Sequence, residues 1–416
     1  MEEMNGNENS RITPKKMDNE LMFAQVLGIL AVVNGHYGFF NSSMYQLFLR
    51  DTWEMVFFIF LSGVLFGRSL NRRSCGAFVL HKCKTLLLPA LFVNFCYGII
   101  SFFMRRYHLA FYGEDLSFRT LFIEPFGANY QFGNNVALWF FFQLFIIEMI
   151  ANLLYRLPHK HKKLFDAAVL AVSFLLSVFC AQTARQNAFY AVRFLTLLRT
   201  GFLFVFFAAG IVYEKYLKKK LQEISAPGLV SCAAIGCQII LIYLFPVQLN
   251  NVRSMDMSAL KWILIPYFVF LFSSAFILSL ARFLSPVLGK SKLLPFIGPN
   301  IRYIVYHHQF CGILFGFIPL FFQAMWGKRF FPAFSPWDFQ RSRWYSFSLA
   351  ENNFGKIIYF LIPFFIPVIT GVLINKVRNK KLRFVIWCLL TLAACAFIAV
   401  FGRYFQDFLR NTETFY

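Results

Sequence analysis

Charge is what this chain has least of. Only 14% of its 416 residues are Asp, Glu, Lys or Arg, and just 19 are acidic. A soluble domain carries about 25% charged residues, so a water-facing surface of ordinary polarity is excluded. The nine cysteines (75, 83, 96, 180, 232, 237, 311, 388 and 395) include no C-x-x-C pair. Most fall inside apolar runs, where a thiol behaves as a small hydrophobe. An odd, scattered set supports neither a disulfide framework nor a metal cluster, and no metal is expected. G-x-S-x-G, P-loop and H-E-x-x-H patterns are all absent. A serine nucleophile elbow, ATP-driven transport and a zinc-protease helix therefore have no support. There is no internal repeat, and no low-complexity segment beyond the polar N-terminal tail.

What the chain has is hydrocarbon. Hydrophobic residues are 58% of it, 58 are phenylalanine, and the mean hydropathy is +0.58. Runs long enough to cross a bilayer fall near 21–40, 47–67, 85–104, 136–155, 164–182, 199–214, 228–246, 262–283, 301–324, 356–375 and 384–402. The expected fold class is therefore all-α, a polytopic membrane bundle of about ten to eleven helices, with 199–214 the shortest run. One domain, 21–402, lies between a polar tail, 1–20, and a short C-terminal tail, 403–416. The first run is too long for a signal h-region and lacks a small-x-small cleavage site, so it reads as an uncleaved span.

The net charge of +22 does not point to nucleic acid, because the basic residues cluster in alternate loops. Arg68, Arg72, Arg73, Lys82 and Lys84 form one cluster, Arg156 to Lys163 another, Lys215 to Lys220 a third and Lys376 to Arg383 a fourth. Positive loops stay inside, so the N-terminus is expected in the cytoplasm of a multi-pass cell-membrane protein. An odd span count places the C-terminus outside. Residues 325–355, expected outside, carry Lys328, Arg329, Arg341 and Arg343; charge counts lose force in longer loops. The aromatics there (Trp326, Phe330, Phe331, Phe334, Trp337, Phe339, Trp344, Tyr345) read as an interfacial belt or as a platform for sugar rings.

Few ionisable side chains fall within the spans, and such groups default to functional candidates. His36 closes the first run and Glu54 opens the second, at matched depth if the chain turns straight back. Histidine takes a hydroxyl proton at neutral pH, and a neighbouring carboxylate would orient the ring; both could instead sit in interfacial water. His307 and His308 lie two turns inside the ninth run. Neighbours on a helix point about 100° apart, so only one can face the centre. Arg199 and Arg302 lie near span edges.

Five stretches in order give a resemblance. Gly28 to His36 and Phe57 to Phe66, then Lys82-x-Lys84-Thr85-Leu86-Leu87-Leu88-Pro89, Leu138-Trp139-Phe140, and Gly298-Pro299-Asn300 with His308 eight residues on, resemble acyltransferase family 3. Its bacterial members are multi-pass O-acetyltransferases of surface glycans, fucose 4-O-acetylases among them. The resemblance implies His36 as catalytic base; Glu54, read from its matched depth rather than from a family motif, would orient it, with His308 or polar neighbours stabilising the oxyanion. It implies Lys82, Lys84 and Gln25 at an acetyl-CoA donor, although Gln25 stands where many members have arginine and lysines stand for arginines before Pro89. Asn300, His307 and Trp139 would contact the substrate. The partners so implied are membrane lipid, acyl-CoA and a surface polysaccharide or its lipid-linked precursor. The rival class is a transporter or flippase for a glycan, for which Pro363 and Pro367 hint at a broken helix. For topology, single cysteines at positions 162 and 219 are expected to label only after the membrane is opened, and one at 335 in intact cells. Equal labelling of 335 and 162 would mean a wrong span count.

Overall fold

The computed structural model describes residues 18–37, 53–127, 132–134, 136–186, 194–245, 252, 254–257, 260, 262–327, 329, 331–341 and 354–413. These form eleven long helices, with no strand among the described residues. They are α1 (Asn19–Tyr37), α2 (Glu54–Ser69), α3 (Cys75–Arg106), α4 (Val136–Leu154), α5 (Lys162–Gln186) and α6 (Leu195–Gln222). The second half supplies α7 (Pro227–Leu244), α8 (Ile265–Leu288), α9 (Leu293–Trp326), α10 (Phe354–Lys376) and α11 (Lys380–Glu413). Each overlaps one apolar run, and seven (α3, α4, α5, α6, α8, α9, α11) are long and apolar enough to cross a membrane by length and composition. The part of the second run from 47 to 52 lies outside the described residues, as do Phe330, Trp344 and Tyr345.

Three boundaries differ from the apolar pattern. The shortest run becomes α6, 28 residues long and the most enclosed of the seven; its apolar part, Leu195–Val212, is packed among neighbouring helices, and its basic end, Lys218–Gln222, extends the helix with no buried residue. The last helix continues past 402 to Glu413. α3 passes through a π-turn at Cys83–Leu87 just before Pro89. Proline removes one N–H from the ladder and crowds the carbonyl four residues back, and a wider turn there relieves both.

Contacts at the two ends of the bundle show that the helices alternate in direction. At one end Asp18 takes the N–H of Leu21 and so caps α1, and the Arg68 and Lys218 cations each reach its carboxylate at 2.8 Å. That joins the start of α1 to the ends of α2 and α6. Burial pushes the Asp18 carboxyl up, but Lys218 and Arg68 hold it below its ordinary value. The clamp is therefore complete above the ordinary carboxylate range and is lost only as pH falls through that lowered value. At the same end Lys215 pairs with Asp166 at 2.9 Å, Arg282 bonds the Leu221 carbonyl, and Met22 packs on Gly298. This basic end holds the loops from which the positive charge was counted. At the opposite end Gln340 of the short helix Pro336–Arg341 donates to His108 O at 2.6 Å, and Tyr107 packs on Gly402. Phe334 and Phe339 are buried there, whereas Trp326 and Trp337 are exposed.

α2 and α6 touch backbone to backbone. A Cβ on Gly63 would lie 2.0 Å from Phe207 O, and one on Gly210 would lie 2.1 Å from Phe60 O. In hydrocarbon no hydrophobic force pulls helices together, so close packing over small residues has to do it. Gly63→Ala is accordingly expected to separate this pair and to cost about 1–3 kcal/mol, the usual penalty of overpacking. Thermal unfolding of the detergent-purified protein measures it; an unchanged midpoint would mean the seam tolerates a methyl group.

Candidate active site

α1 and α9 lie side by side from Met22 on Gly298 to Tyr37 on Gly312. Tyr37 is the pin. Its hydroxyl donates to His308 O at 2.8 Å and lies 3.4 Å from Gln309 O, and a Cβ on Gly312 would sit 2.2 Å from that oxygen. This fixes the last turn of α1 at the level of residues 308 and 309. His36, one residue earlier, lays its ring on that of His308, with centroids 5.1 Å and planes 23° apart.

His308 is fully buried, and its Nδ1 lies 2.7 Å from Ile304 O. A carbonyl oxygen can only accept, so the hydrogen is on Nδ1, and the neutral ring carries a lone pair on Nε2. That Nε2 meets no hydrogen-bond partner among the described residues. Neutral His308 thus offers an acceptor, not the donor that an oxyanion needs. His307, the adjacent histidine, turns the other way. Its Nδ1 is 2.7 Å from Tyr97 Oη, and its ring stacks on Trp387 at 4.7 Å.

A cavity of about 570 Å³ follows α1. At the basic end it is lined by Gln25, Gly298, Pro299 and Arg302, with Arg302 exposed and its guanidinium 5.1 Å from the Tyr303 ring centroid. Its waist is apolar: Ile29, Val32, Phe58 and Val305. The far end holds His36, Glu54, Val136, Trp139 and Gln309. From Gln25 to His36 is eleven residues, about 16 Å along a helix. Glu54, the first residue of α2, is 5% exposed and His36 is half-buried.

The far wall is held from behind. Trp139 carries the Arg199 guanidinium over its ring at 4.7 Å; Arg199, 1% exposed, donates from Nε to Gln143 Oε1 at 2.7 Å, and Gln143 donates to Thr200 at 2.6 Å. A cation inside the bundle is tolerable only when so partnered. Gln309 joins α9 to the start of α4, where its Oε1 accepts from the N–H of Val136 at 2.5 Å and of Ala137 at 3.4 Å.

Of the residues singled out in the sequence, His36, Glu54, Gln25 and Trp139 line this cavity, Arg302 lines it too, and His308 backs it. Asn300 does not. Its amide donates to Phe296 O at 2.8 Å and its oxygen accepts from Asn375 at 3.0 Å, so it ties α9 to α10 and positions Gly298 and Pro299. His307 faces α3 and α11. Lys84 is exposed, and Lys82 makes an ion pair with Glu148 at 2.6 Å; neither lysine lines the cavity. Gln309, Tyr37 and Glu148 were missed by sequence reasoning. Glu148, a carboxylate inside an apolar run, carried the same intramembrane signal that marked Glu54. No group of three His, Cys, Asp or Glu side chains comes together among the described residues.

An alternating helical bundle with a cavity between its helices, lined at one end by a histidine and a carboxylate, defines a polytopic membrane protein. The family model described as an acyltransferase domain matches residues 18–327, and the chain belongs to that family, acyltransferase 3. It is a membrane acyltransferase by family. No curated protein and no solved structure matches the chain.

The ion pair makes a stability prediction. Lys82→Ala leaves the Glu148 carboxylate, 3% exposed, without its cation and is expected to cost up to about 3–5 kcal/mol. Adding Glu148→Gln should recover most of this, whereas Lys84→Ala should be neutral. Thermal unfolding of the four proteins checks it, and equal midpoints for Lys82→Ala and Lys84→Ala would show the pair to be idle.

Proposed function

We propose that this protein is a cell-membrane O-acetyltransferase that moves the acetyl group of acetyl-CoA to a hydroxyl of an exopolysaccharide or other surface glycan. The observation that carries the reading is one cavity lined by a guanidinium at one end and by both a histidine and a carboxylate at the other. In this reading the N-terminus and the basic end face the cytoplasm, and the donor enters there. Arg302 meets donor phosphate, as a planar guanidinium suits phosphate oxygens, and the exposed Lys84 adds charge near the surface. Lys82, paired with Glu148, contributes less. The apolar stretch lined by Ile29, Val32, Phe58 and Val305 takes the pantetheine arm, and the thioester lies beside His36. Gln25 offers the arm a neutral amide in place of arginine's charge.

The acceptor arrives from the far side, across Trp139. His36 takes the hydroxyl proton while the oxygen attacks the thioester carbonyl. The C–O bond forms, the C–S bond breaks, and the proton passes from His36 to the leaving thiolate. Glu54 steadies the imidazolium between those steps. His308, stacked on His36, keeps its ring in place and excludes water from its face. Asn300 and His307 act at a distance, Asn300 through the turn that shapes the cavity floor. The transporter alternative reads the polar residues of the bundle as lining a path; its further hint, a helix broken at Pro363 and Pro367, finds α10 continuous through both.

His36→Gln keeps a hydrogen-bonding side chain but cannot accept the proton. It should lower acetyl transfer by about 10²–10⁴, the range of positioned acid–base catalysis. Arg302→Ala should instead raise the donor KM, by roughly 10- to 100-fold for a charge-assisted bond of about 1.5–3 kcal/mol. The assay is transfer of labelled acetyl from acetyl-CoA to glycan in membranes with matched protein amounts. Near-normal transfer by His36→Gln would sink the base assignment. Loss of the whole polymer, rather than of its acetyl esters, in cells lacking the gene would favour transport.

A further inference from the structure

We propose that the amide nitrogen of Gln309 is the oxyanion donor of the acyl-transfer site. This rests on the acyltransferase reading above and adds a residue that neither the motifs nor the family assignment singles out.

The orientation of this amide is settled by chemistry. Two backbone N–H groups at the start of α4, those of Val136 and Ala137, converge on one side of it. Donors require an acceptor, so the carbonyl oxygen must lie on that side and the NH2 group on the other. The oxygen is thereby spent on the open N-terminus of α4, where the first N–H groups of a helix have no partner of their own. The NH2 group meets no acceptor among the described residues, and Gln309 lines the cavity while being only 4% exposed overall. It is a buried donor aimed at the ligand space.

Its height in the bundle matches the chemistry. Tyr37 Oη sits within 2.8 Å of His308 O and 3.4 Å of Gln309 O, so residues 36 and 309 share one level. The histidine stack adjoins it. As the hydroxyl oxygen adds to the thioester, the carbonyl oxygen gains negative charge before the C–S bond breaks. A neutral N–H donor held in place by a helix terminus stabilises that charge with no reorganisation, the arrangement that makes such donors valuable. His308, protonated on Nδ1, presents a lone pair instead. Arg199 lies behind Trp139, with its guanidinium over that ring, and is bonded to Gln143.

Gln309→Glu separates the two halves of the amide. A carboxylate still accepts from Val136 and Ala137, and an anion at a helix N-terminus is favourable, but the N–H donors are gone. The expected result is an unfolding midpoint close to the unsubstituted protein, a donor KM within threefold, and kcat lower by about 10²–10³, as for removal of one oxyanion donor. Gln309→Leu should lose both kcat and thermal stability. A folded Gln309→Glu protein with kcat within threefold of normal overturns the proposal. A second measurement needs no variant. The carbonyl stretch of acetyl-CoA carrying ¹³C at the thioester carbon, bound before acceptor is added, should fall below its value in buffer; no downshift also overturns it. If the unsubstituted protein transfers nothing from acetyl-CoA to any hydroxyl acceptor, the acyltransferase reading fails and takes this with it. If transfer is normal, His36→Gln is inactive and Gln309→Glu is active, only the Gln309 assignment falls.

Discussion

A polar side chain between the two ends of this bundle has to find its partner inside the protein, because hydrocarbon offers none. Much of the architecture follows from how that is met. Lys82 and Glu148 satisfy one another across α3 and α4. Arg199 is held by Gln143 and by the face of Trp139. Asn300 is closed off by Phe296 O and Asn375. The bonds that cross from one helix to another, such as Lys82 to Glu148 and Asn375 to Asn300, tie helices that a featureless apolar surface would leave free to slide. Along the apolar middle of the α2–α6 seam, away from the Arg68–Glu214 ion pair at its end, glycines let the backbones approach instead.

The seam between α1 and α9 uses the same constraint to build a site. Tyr37 spends its hydroxyl on the backbone of α9, and Gln309 spends its oxygen on the backbone of α4. Three helices are thereby locked at one level, and His36, Glu54 and Gln309 line the cavity there. Structure and chemistry divide the same residues: one polar atom holds the fold while another is kept for a ligand. Pre-paid positioning of this kind is what lets neutral groups act on a reacting carbonyl without first rearranging.

Periodicity and composition made the helices legible. Eleven apolar runs became eleven helices because an all-apolar segment has one stable backbone solution in a bilayer. The end of α1 was legible for a similar reason, since a histidine in such a run stands out against its surroundings. For the later histidines the chain offered one cue, the eight-residue spacing from Asn300 that favours His308, and no cue to its stacking on His36. His307 and His308 are chemically identical neighbours, and which one meets His36 depends on the rotation of α9, set by Tyr37 in the notch at Gly312. The lysines before Pro89 looked like phosphate ligands because nothing local reveals Glu148, 66 residues away, as the partner of Lys82.

The sequence by itself determined the class of molecule: a helical membrane bundle with alternating basic loops and a histidine at the end of its first span. Those properties are carried by each segment alone, through its hydropathy and its charge, and need no partner to be read. Tertiary structure decided which polar atoms are used up and which remain available. Gln309 is an unremarkable glutamine in the chain; it becomes a directed donor only because the start of α4 arrives beside it and claims its oxygen. Hydrogen bonds between distant segments are set by three-dimensional approach, and a linear pattern holds no record of that approach.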